Sequence, residues 1–260
     1  MTSEGNRAAC IRAEHLWFTY PGSGRAALHD LTFSIPAGQF VAILGANASG
    51  KSTLARLIAG LLTPQEGKLE VLGQDRAIPH SSNALRGRVG IVFQSPDDQM
   101  VAPTIEREIA FGLENLGHPP AQIRSRVDNM LKRFKLEPYA RRSPHHLSGG
   151  EKQRLALASV LVMKPDILIL DEVTSLLDPA GRRDIRSLIG ELRGQCTMLL
   201  ITQFPQESLS ADRILLLHEG RLVHDAPPDE LFSRAESDEI HGVEVPLIYR
   251  LLKAAEKADG

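Results

Sequence analysis

Residues 45–53 read Gly45-Ala46-Asn47-Ala48-Ser49-Gly50-Lys51-Ser52-Thr53, and this stretch decides the fold of the chain. It fits the pattern G-x-x-x-x-G-K-[ST] of a phosphate-binding loop. The apolar run Phe40–Leu44 before it has the length of a buried strand, and residues 52–60 carry apolar side chains at helical spacing. A loop between a strand and a helix N-terminus turns several backbone N–H groups toward one point, which suits an anion. The sequence therefore predicts a phosphate site rather than a glycine-rich turn with an unrelated lysine.

Each residue type in this loop has a chemical reason. Gly45 and Gly50 let the backbone approach phosphates closely. Lys51 is long enough to reach the outer phosphates of a nucleoside triphosphate, and the hydroxyl of Ser52 is a ligand for Mg²⁺. The candidate nucleotide-binding residues are Gly45, Ala46, Asn47, Ala48, Ser49, Gly50, Lys51, Ser52 and Thr53.

Composition argues against several classes of protein. The chain has 260 residues, of which 42% are apolar and 24% charged, as is ordinary for a globular protein with a sizeable core. Its formal net charge of -2 offers no electrostatic attraction to nucleic acid, so we expect no nucleic-acid partner. Cys10 and Cys196 are too few for a disulfide framework or a metal cluster, and they favour a reducing compartment.

We expect neither a secretory leader nor a membrane span. Residues 1–10 are polar and lack an apolar core segment, and no run of about 18 apolar residues occurs in the chain. Any connection to a membrane therefore requires a partner protein.

Strand and helix signals alternate along the rest of the chain. Runs of buried-strand length occur at residues 89–94, 167–170 and 197–202, and helical spacing occurs at residues 104–136 and 179–192. Alternation of this kind predicts an α/β fold with a mostly parallel core sheet and helices outside it.

Three further regions complete the predicted fold. Short strands within residues 11–40 indicate an N-terminal antiparallel β subdomain, and residues 214–223 indicate a hairpin. The charged helical block indicates a helical insertion subdomain at about residues 95–160. From residue 227 onward the chain is expected to be helical, with residues 233–260 forming a helical extension.

A pair of acids, Asp171 and Glu172, ends the apolar run at residues 167–170. In open α/β sheets, ligands bind at the carboxyl ends of the strands, so we expect Asp171 close to Lys51 and Ser52. A carboxylate there can hold Mg²⁺, and Glu172 can orient and polarise the attacking water. The alternative is a pair of surface acids without a role, but four apolar residues in a row require burial here.

A second anion site is predicted at Leu147-Ser148-Gly149-Gly150-Glu151-Lys152-Gln153-Arg154. This stretch places a Ser-Gly-Gly turn at a helix N-terminus, which is suited to an anion. A head-to-tail pair of chains would bring the turn of one copy to the outer phosphate held by the other copy.

The same stretch, LSGGEKQR, resembles the signature of the ATP-binding-cassette family, and four motifs in the family's order extend the resemblance over residues 11–232. The resemblance implies a P-loop NTPase cassette that dimerises around two molecules of Mg-ATP and hydrolyses them. It implies that Tyr20 stacks on adenine, and that Gln94 contacts Mg²⁺ and the attacking water. The residues it assigns to the ATP of the opposite subunit are Leu147, Ser148, Gly149, Gly150 and Glu151. The loop from Ser175 to Asp178 is similar to the one that crosses the dimer interface.

Two residues depart from the family pattern. Ala48 stands where the family usually has glycine, and it carries a small strain cost if the position needs a positive φ. Gln203 stands where the family has a histidine that hydrogen-bonds the γ-phosphate. Glutamine keeps an N–H donor but cannot become a cation. We therefore expect ATP binding and dimer closure to survive and hydrolysis to be slower, with Glu172 still catalytic.

Residues 93–101, Phe-Gln-Ser-Pro-Asp-Asp-Gln-Met-Val, discriminate among cassettes. They resemble the F-Q-x-P-D-x-Q run of energy-coupling-factor transporter ATPases, and the likeness continues through residues 104–112. The resemblance implies a peripheral protein on the cytoplasmic side of the cell membrane, paired with itself or with a related ATPase. Its membrane partners would be a transmembrane coupling subunit and a small subunit that binds a vitamin or a metal ion. Asp97 and Asp98 are candidates for contacts to basic residues of the coupling subunit, and a solvated turn is the alternative.

Other classes share part of these motifs. A soluble clamp ATPase that acts on nucleic acid or ribosomes usually carries a long coiled-coil insertion, a zinc module or a second cassette, and the sequence has none of these signals. A P-loop kinase has no use for the LSGGE signature. An ATPase of another importer type stays an alternative, and nothing in the sequence identifies the transported substrate.

Overall fold

The computed structural model describes residues 8–78, 81–235 and 237–259. Two units make up the chain: the first holds the described residues of 1–84 and 197–260, and the second holds residues 85–196. This division differs from the predicted bounds of the cassette and of its helical insertion, and those bounds stay a prediction.

Both units contain strands and helices. The strands are β1 (Ala9–Thr19), β2 (Ala26–Pro36), β3 (Phe40–Leu44), β4 (Glu66–Val71), β5 (Gln74–Asp75), β6 (Val89–Val92), β7 (Ile167–Asp171), β8 (Thr197–Thr202), β9 (Arg213–His218), β10 (Arg221–Ala226), β11 (Glu239–Ile240) and β12 (Val243–Glu244). The α-helices are α1 (Lys51–Ala59), α2 (Ser81–Ala84), α3 (Ile105–Asn115), α4 (Pro120–Arg133), α5 (Gly149–Leu161), α6 (Pro179–Glu191), α7 (Pro205–Ser208), α8 (Pro228–Ser233) and α9 (Leu247–Asp259).

In the first unit, a core of parallel strands carries the phosphate loop. β3 pairs in parallel with β8 and with β9, and β10 pairs with β9 as the predicted antiparallel hairpin. Every residue of β3 and β8 is buried, which is the pattern of parallel strands covered on both faces. Leu44 pairs with Thr202 at the ends of β3 and β8. The phosphate loop and the turn at Gln203 therefore leave the sheet side by side.

The N-terminal β subdomain is an antiparallel sheet with the strand order β2-β1-β4-β5. The sequence predicts several short strands here, but the structure has two strands of 11 residues each, β1 and β2. The register of β1 against β2 shifts between Ala13 and Leu16, where His15 has a φ of 49°. Such a bulge breaks the alternation of buried and exposed residues, so one long strand looks like separate pieces in the sequence.

In the second unit, β6 pairs in parallel with β7, and Val92 lies opposite Leu170. All five residues of β7 are buried. The two strands end side by side, so Gln94 and Glu172 follow from neighbouring strand ends. α3 and α4 confirm the helical character predicted for residues 104–136. α3 packs against both α4 and α5.

The C-terminal region is helical only in part. α8 and α9 flank a two-stranded antiparallel hairpin, β11–β12, in a region expected to be helical throughout. Strands of two residues are too short to show any periodicity, and for this reason the sequence pattern missed them.

The predicted fold class is confirmed: mostly parallel strands, a separate antiparallel sheet and helices occur together. Parallel strands need long crossover connections, and the helices between them supply these connections. Within the described ranges, no helix combines the length and the apolar character needed to cross a bilayer.

Candidate functional site

The phosphate loop joins β3 to α1 through two glycines. A β-carbon at Gly45 would lie 2.3 Å from the carbonyl oxygen of Leu217, so the loop backbone packs directly on β9. Gly50 precedes α1 with a φ of 102°, in the left-handed region that favours glycine. The predicted order of strand, glycine loop and helix is confirmed, and the first N–H groups of α1 open toward the loop.

The ammonium group of Lys51 folds over the loop. Lys51 is 4% exposed, and its Nζ donates hydrogen bonds to the carbonyls of Gly45 at 2.9 Å and Ala46 at 2.8 Å. A buried cation needs such partners because its desolvation is unfavourable. A phosphate in the loop would offer a charged acceptor, which is a stronger partner than a neutral carbonyl.

Ser49 is a second polar group enclosed by the loop. It is 4% exposed, and among the residues that the structure describes its hydroxyl has no hydrogen-bond partner. Leaving a buried hydroxyl unsatisfied costs about 1–3 kcal/mol. A phosphate oxygen is an acceptor that would satisfy it, so this residue fits an anion site.

Ala48 adopts a φ of 62° and is exposed. We expected strain at Ala48 if this position needs a positive φ, and the structure shows that it has one. The left-handed region costs about 1–2 kcal/mol for a residue with a β-carbon. The loop thus holds one strained residue at its outer turn.

Tyr20 lies in the same unit as the loop and is half-buried. Its hydroxyl is 3.2 Å from Oγ1 of Thr53, and its ring packs edge-on against Phe18 with the centroids 5.0 Å apart. These two contacts fix the orientation of the ring relative to the helix that follows the loop. Stacking on adenine stays a prediction.

Gln203 follows β8 in a turn that Thr202 fixes. The hydroxyl of Thr202 donates to Oε2 of Glu207 at 2.7 Å and accepts from the N–H of Phe204 at 3.0 Å. Within the described part of the chain, the side-chain amide of Gln203 makes no hydrogen bond. Its N–H donor is therefore available to a ligand at the end of β8.

Three polar groups meet at the ends of β6 and β7 in the second unit. Gln94 Nε2 donates to Glu172 Oε2 at 3.1 Å and to Ser175 Oγ at 3.2 Å. Ser175 Oγ donates in turn to the backbone carbonyl of Glu172 at 2.8 Å. Glu172 has a φ of 50°, which is strained for a residue with a β-carbon. The network therefore holds the predicted catalytic carboxylate in one orientation.

Ser148 begins α5 with a capping box. The N–H of Glu151 donates to Ser148 Oγ at 3.4 Å, and Glu151 Oε2 accepts from both the N–H and the hydroxyl of Ser148 at 2.8 Å. These hydrogen bonds hold the pKa of the Glu151 carboxyl below its ordinary value. Ser148 and Gly149 are exposed, so the N-terminus of α5 is open to a ligand from outside the chain.

The loop before α6 is fixed by residues at its end. Asp178 caps α6 by accepting from the N–H of Gly181 at 2.8 Å. Arg182 donates to the carbonyls of Leu177 at 3.0 Å and Ser175 at 3.2 Å. The sequence did not single out Arg182, since an arginine one turn after a helix cap is too common to be a signal.

The two acids after Gln94 have different environments. Lys152 Nζ donates to both carboxylate oxygens of Asp97, at 2.7 and 3.0 Å, and ties the residues after β6 to α5. Asp98 is exposed, and in the described ranges it forms no ion pair. The sequence pattern could not distinguish the two acids, because a contact between residues 55 positions apart cannot be recognised from neighbouring residues.

The predicted site residues fall into two groups. The phosphate loop, Tyr20 and Gln203 belong to the first unit, and the residues at the ends of β6 and β7 belong to the second unit together with the turn before α5. The expected closeness of Asp171 to Lys51 joins residues of different units and stays a prediction. Among the described residues, no group of three or more His, Cys, Asp or Glu side chains is arranged to hold a metal ion.

The chain matches a family model and several curated proteins. The model described as ABC transporter matches residues 28–175. The energy-coupling factor transporter ATP-binding protein EcfA1 of Lacticaseibacillus paracasei is 42% identical over 246 residues, covering 94% of this chain and 88% of that protein. The protein of the same name from Clostridium novyi is 42% identical over 248 residues, covering 95% and 89%.

Solved structures show the same likeness. One is cbiO1 from Clostridium perfringens, described as part of the ABC transporter complex cbiONQ; it matches with a TM-score of 0.79 and 34% identity, covering 94% of this chain and 99% of that one. Another is a dimeric ATP-binding cassette in a post-hydrolysis state, bound to ADP and Pi. It matches with a TM-score of 0.76 and 26% identity, covering 84% and 98% of the two chains.

Replacing Ala48 by glycine should stabilise the chain. Relief of the strain at φ 62° outweighs the larger unfolded-state entropy of glycine, so we expect a gain of about 0.5–1 kcal/mol. Urea denaturation measures this gain in the free energy of unfolding. Ala37 is the control: it is exposed in a turn without a positive φ, so Ala37→Gly should destabilise. A loss of stability in Ala48→Gly would contradict the strain.

Proposed function

This chain belongs to the ABC transporter family of ATP-binding-cassette ATPases, and we propose that it is the ATPase subunit of an energy-coupling-factor type importer. The observation that carries the proposal is its likeness to energy-coupling factor ATP-binding proteins over nearly its whole length. In this role it pairs with a second ATPase subunit, either itself or a related chain. The pair drives a transmembrane coupling subunit and a membrane subunit that binds a vitamin or a metal ion. The chain then lies at the cytoplasmic side of the cell membrane as a peripheral subunit.

ATP binds in the phosphate loop in this proposal. Lys51 exchanges the two loop carbonyls for the β- and γ-phosphates, and the buried hydroxyl of Ser49 gains an acceptor. Tyr20 stacks on the adenine ring. The order of strand, glycine loop and helix N-terminus supports this role, because it is an arrangement that presents backbone N–H groups to a phosphate.

The residues proposed to hold Mg²⁺ suit that ion. Ser52, Gln94 and Asp171 supply hydroxyl, amide and carboxylate oxygens, which are the hard donors that Mg²⁺ prefers. Gln94 already uses its amide N–H groups on Glu172 and Ser175, which leaves its amide oxygen for a cation. Mg²⁺ held there would supply positive charge that offsets the negative charge developing during transfer.

Hydrolysis is assigned to Glu172 and Gln203. Glu172 orients and polarises the attacking water, and the hydrogen bond from Gln94 keeps its carboxylate in place. Gln203 donates a neutral N–H to the γ-phosphate. A neutral donor stabilises the developing negative charge less than a cation would, which makes the chain a slow ATPase.

Two copies of the signature turn complete the proposed sites. The hydroxyl of Ser148 leaves Glu151 and donates to the γ-phosphate held by the partner, with Gly149 and Gly150 contributing backbone N–H groups. Each ATP is then held by both subunits, and hydrolysis removes the contacts that join them. Opening of the pair moves Gln94 and the residues after it, which pass the motion to the membrane partner.

Replacing Gln203 by histidine should increase the rate of ATP hydrolysis. An imidazolium donor would stabilise the γ-phosphate charge more strongly than an amide, so we expect kcat to rise about tenfold with little change in KM. Steady-state phosphate release measures both constants. Gln203→Ala is the matched control, and it should hydrolyse more slowly than the parent. A Gln203→His variant no faster than the parent would count against the assignment.

Co-purification tests the proposed function. A tagged chain, purified from detergent-solubilised membranes of its own host, should bring down an ATPase subunit and a multi-span membrane protein. Asp98→Lys should lower the recovery of the membrane protein about tenfold, because it places a like charge opposite basic residues. Asp97→Asn should lower it less, since the Asp97 carboxylate is taken up by Lys152. Recovery of nucleic acid and no membrane protein would contradict the importer assignment.

A further inference from the structure

The C-terminal hairpin touches the phosphate loop. Ile240 pairs with Val243, so the turn between β11 and β12 consists of His241 and Gly242. Both have positive φ values, 49° and 79°, as in a type I′ turn. A β-carbon at Gly242 would lie 3.4 Å from the β-carbon of Ala46, so this turn packs against the second residue of the loop.

Ala46 connects this contact to the nucleotide site. Its carbonyl accepts the hydrogen bond from Lys51 Nζ at 2.8 Å. A turn that packs on Ala46 therefore restrains the loop at the residue whose carbonyl this ammonium group contacts. Fixing a loop in its binding conformation before the ligand arrives raises affinity, because less ordering remains to be done on binding.

The hairpin is anchored rather than loose. Val243 and Val245, which follow the turn, are each 3% exposed. The N–H of Val245 donates to the carbonyl of Asp238 at 2.8 Å, which closes the base of the hairpin. The turn is thus held at both ends and can press on Ala46.

The turn residue His241 lies in a cluster with two other histidines, His218 and His224. His218, at the end of β9, donates from Nδ1 to the carbonyl of His241 at 3.2 Å. The rings of His218 and His241 have centroids 5.0 Å apart, and those of His224 and His241 lie 5.5 Å apart. A cavity of about 610 Å³ lined in part by His224 and His241 gives water access to both rings.

The surroundings of His241 favour its neutral imidazole. Partial burial and the two neighbouring histidines lower the pKa of His241 from its ordinary value of 6.5. A histidine whose pKa is lower in the folded state contributes its full stability above pH 6.5 and loses it as the pH falls below that value. Acid therefore charges His241 beside two other imidazole rings, which weakens the packing of the turn.

Several other charged groups lie around the cluster, and some of them have ion-pair partners. The charged or titratable residues on the surrounding elements are His29, Glu219, Arg221, Asp225, Glu230, Arg234, Glu239 and Glu244. Asp225 pairs with Arg213, Glu230 with Arg234, and Glu219 with Arg25. Glu239 and Glu244 face each other across the hairpin. Glu239 lines the same cavity as His224 and His241, so its carboxylate contributes to the charge near the turn together with the imidazoles.

We propose that the His241–Gly242 turn is a latch on the phosphate loop, and that the neutral state of His241, beside His218 and His224, keeps it closed. The closed latch holds the loop backbone at Ala46 in the geometry that receives phosphates. Acid opens the latch, loosens the loop and weakens ATP binding. The proposal deepens the proposed function and rests on it, because it requires ATP to bind in this loop.

A pair of glycine substitutions tests the contact. Gly242→Asn adds a side chain toward Ala46. Gly73→Asn is the control: Gly73 is a turn glycine with a φ of 76°, and a β-carbon added there would have no neighbouring atom within 4 Å. Asparagine tolerates positive φ, so the backbone strain is small and similar in both variants. Calorimetric titration with ATP, without Mg²⁺ so that no hydrolysis occurs, should show about fivefold weaker binding for Gly242→Asn and parental binding for Gly73→Asn. Equal affinities for the two variants would overturn the latch.

A pair of histidine substitutions tests the pH dependence. Asparagine suits the first position of a type I′ turn, so His241→Asn keeps the turn and removes the charge. Between about pH 7.5 and about pH 5.5, the parent should lose about fivefold more ATP affinity than His241→Asn. His15→Asn is the control, since His15 has the same φ of 49° and lies on β1 outside the cluster; it should follow the parent. Identical pH profiles for His241→Asn and the parent would overturn the role of the histidines.

The two proposals fail in different ways. A parent chain that binds no ATP at about pH 7.5 contradicts the proposed function itself. A parent that binds ATP, with variants that bind as it does, contradicts only the latch.

Discussion

The parallel pairing of β3 with β8 is the constraint on which the nucleotide site depends. Both strands are buried along their whole length, and Leu44 lies opposite Thr202 where they end. This register sends the phosphate loop and Gln203 out of the sheet at the same edge. A shift of one residue would turn every side chain of β3 into the packing on its opposite face. Close packing on two covered faces therefore fixes the register and, with it, the position of the loop. The chemistry of the loop is thus placed by apolar residues that take no part in it.

Several of the polar groups proposed to bind ATP or Mg²⁺ already have a hydrogen-bond partner within the chain. Lys51 bonds to two carbonyls of its own loop, Ser148 to Glu151, and Gln94 to Glu172. Neutral or intramolecular partners of this kind satisfy the groups without binding them as strongly as a phosphate or a cation would. Binding then exchanges one set of hydrogen bonds for a stronger one, and the protein carries little unsatisfied charge beforehand. Ser49 and Gln203 are the exceptions, because neither the buried hydroxyl of Ser49 nor the side-chain amide of Gln203 has a partner within the described residues.

The sequence predicted the parts of this protein that local pattern determines. The loop at residues 45–53, the buried strands and the capped helix after Ser148 each have a signature within about ten residues, and the structure has all three. The strain at Ala48 followed from a missing glycine. Contacts between distant residues were not predictable: the ion pair of Lys152 with Asp97 and the hairpin turn against Ala46 depend on how elements pack. The bulges of β1 were missed because they break the very periodicity by which strands are recognised.

The central claim is that ATP joins two subunits, with Lys51 of one and Ser148 of the other on the same triphosphate. Sedimentation velocity of the Glu172→Gln chain, which should bind ATP without hydrolysing it, tests this claim most directly. The chain alone, or mixed with the ATPase subunit that co-purifies with it, should sediment as a dimer in Mg-ATP and as a monomer in Mg-ADP. A chain that stays monomeric at saturating Mg-ATP, with itself and with that subunit, would contradict the account.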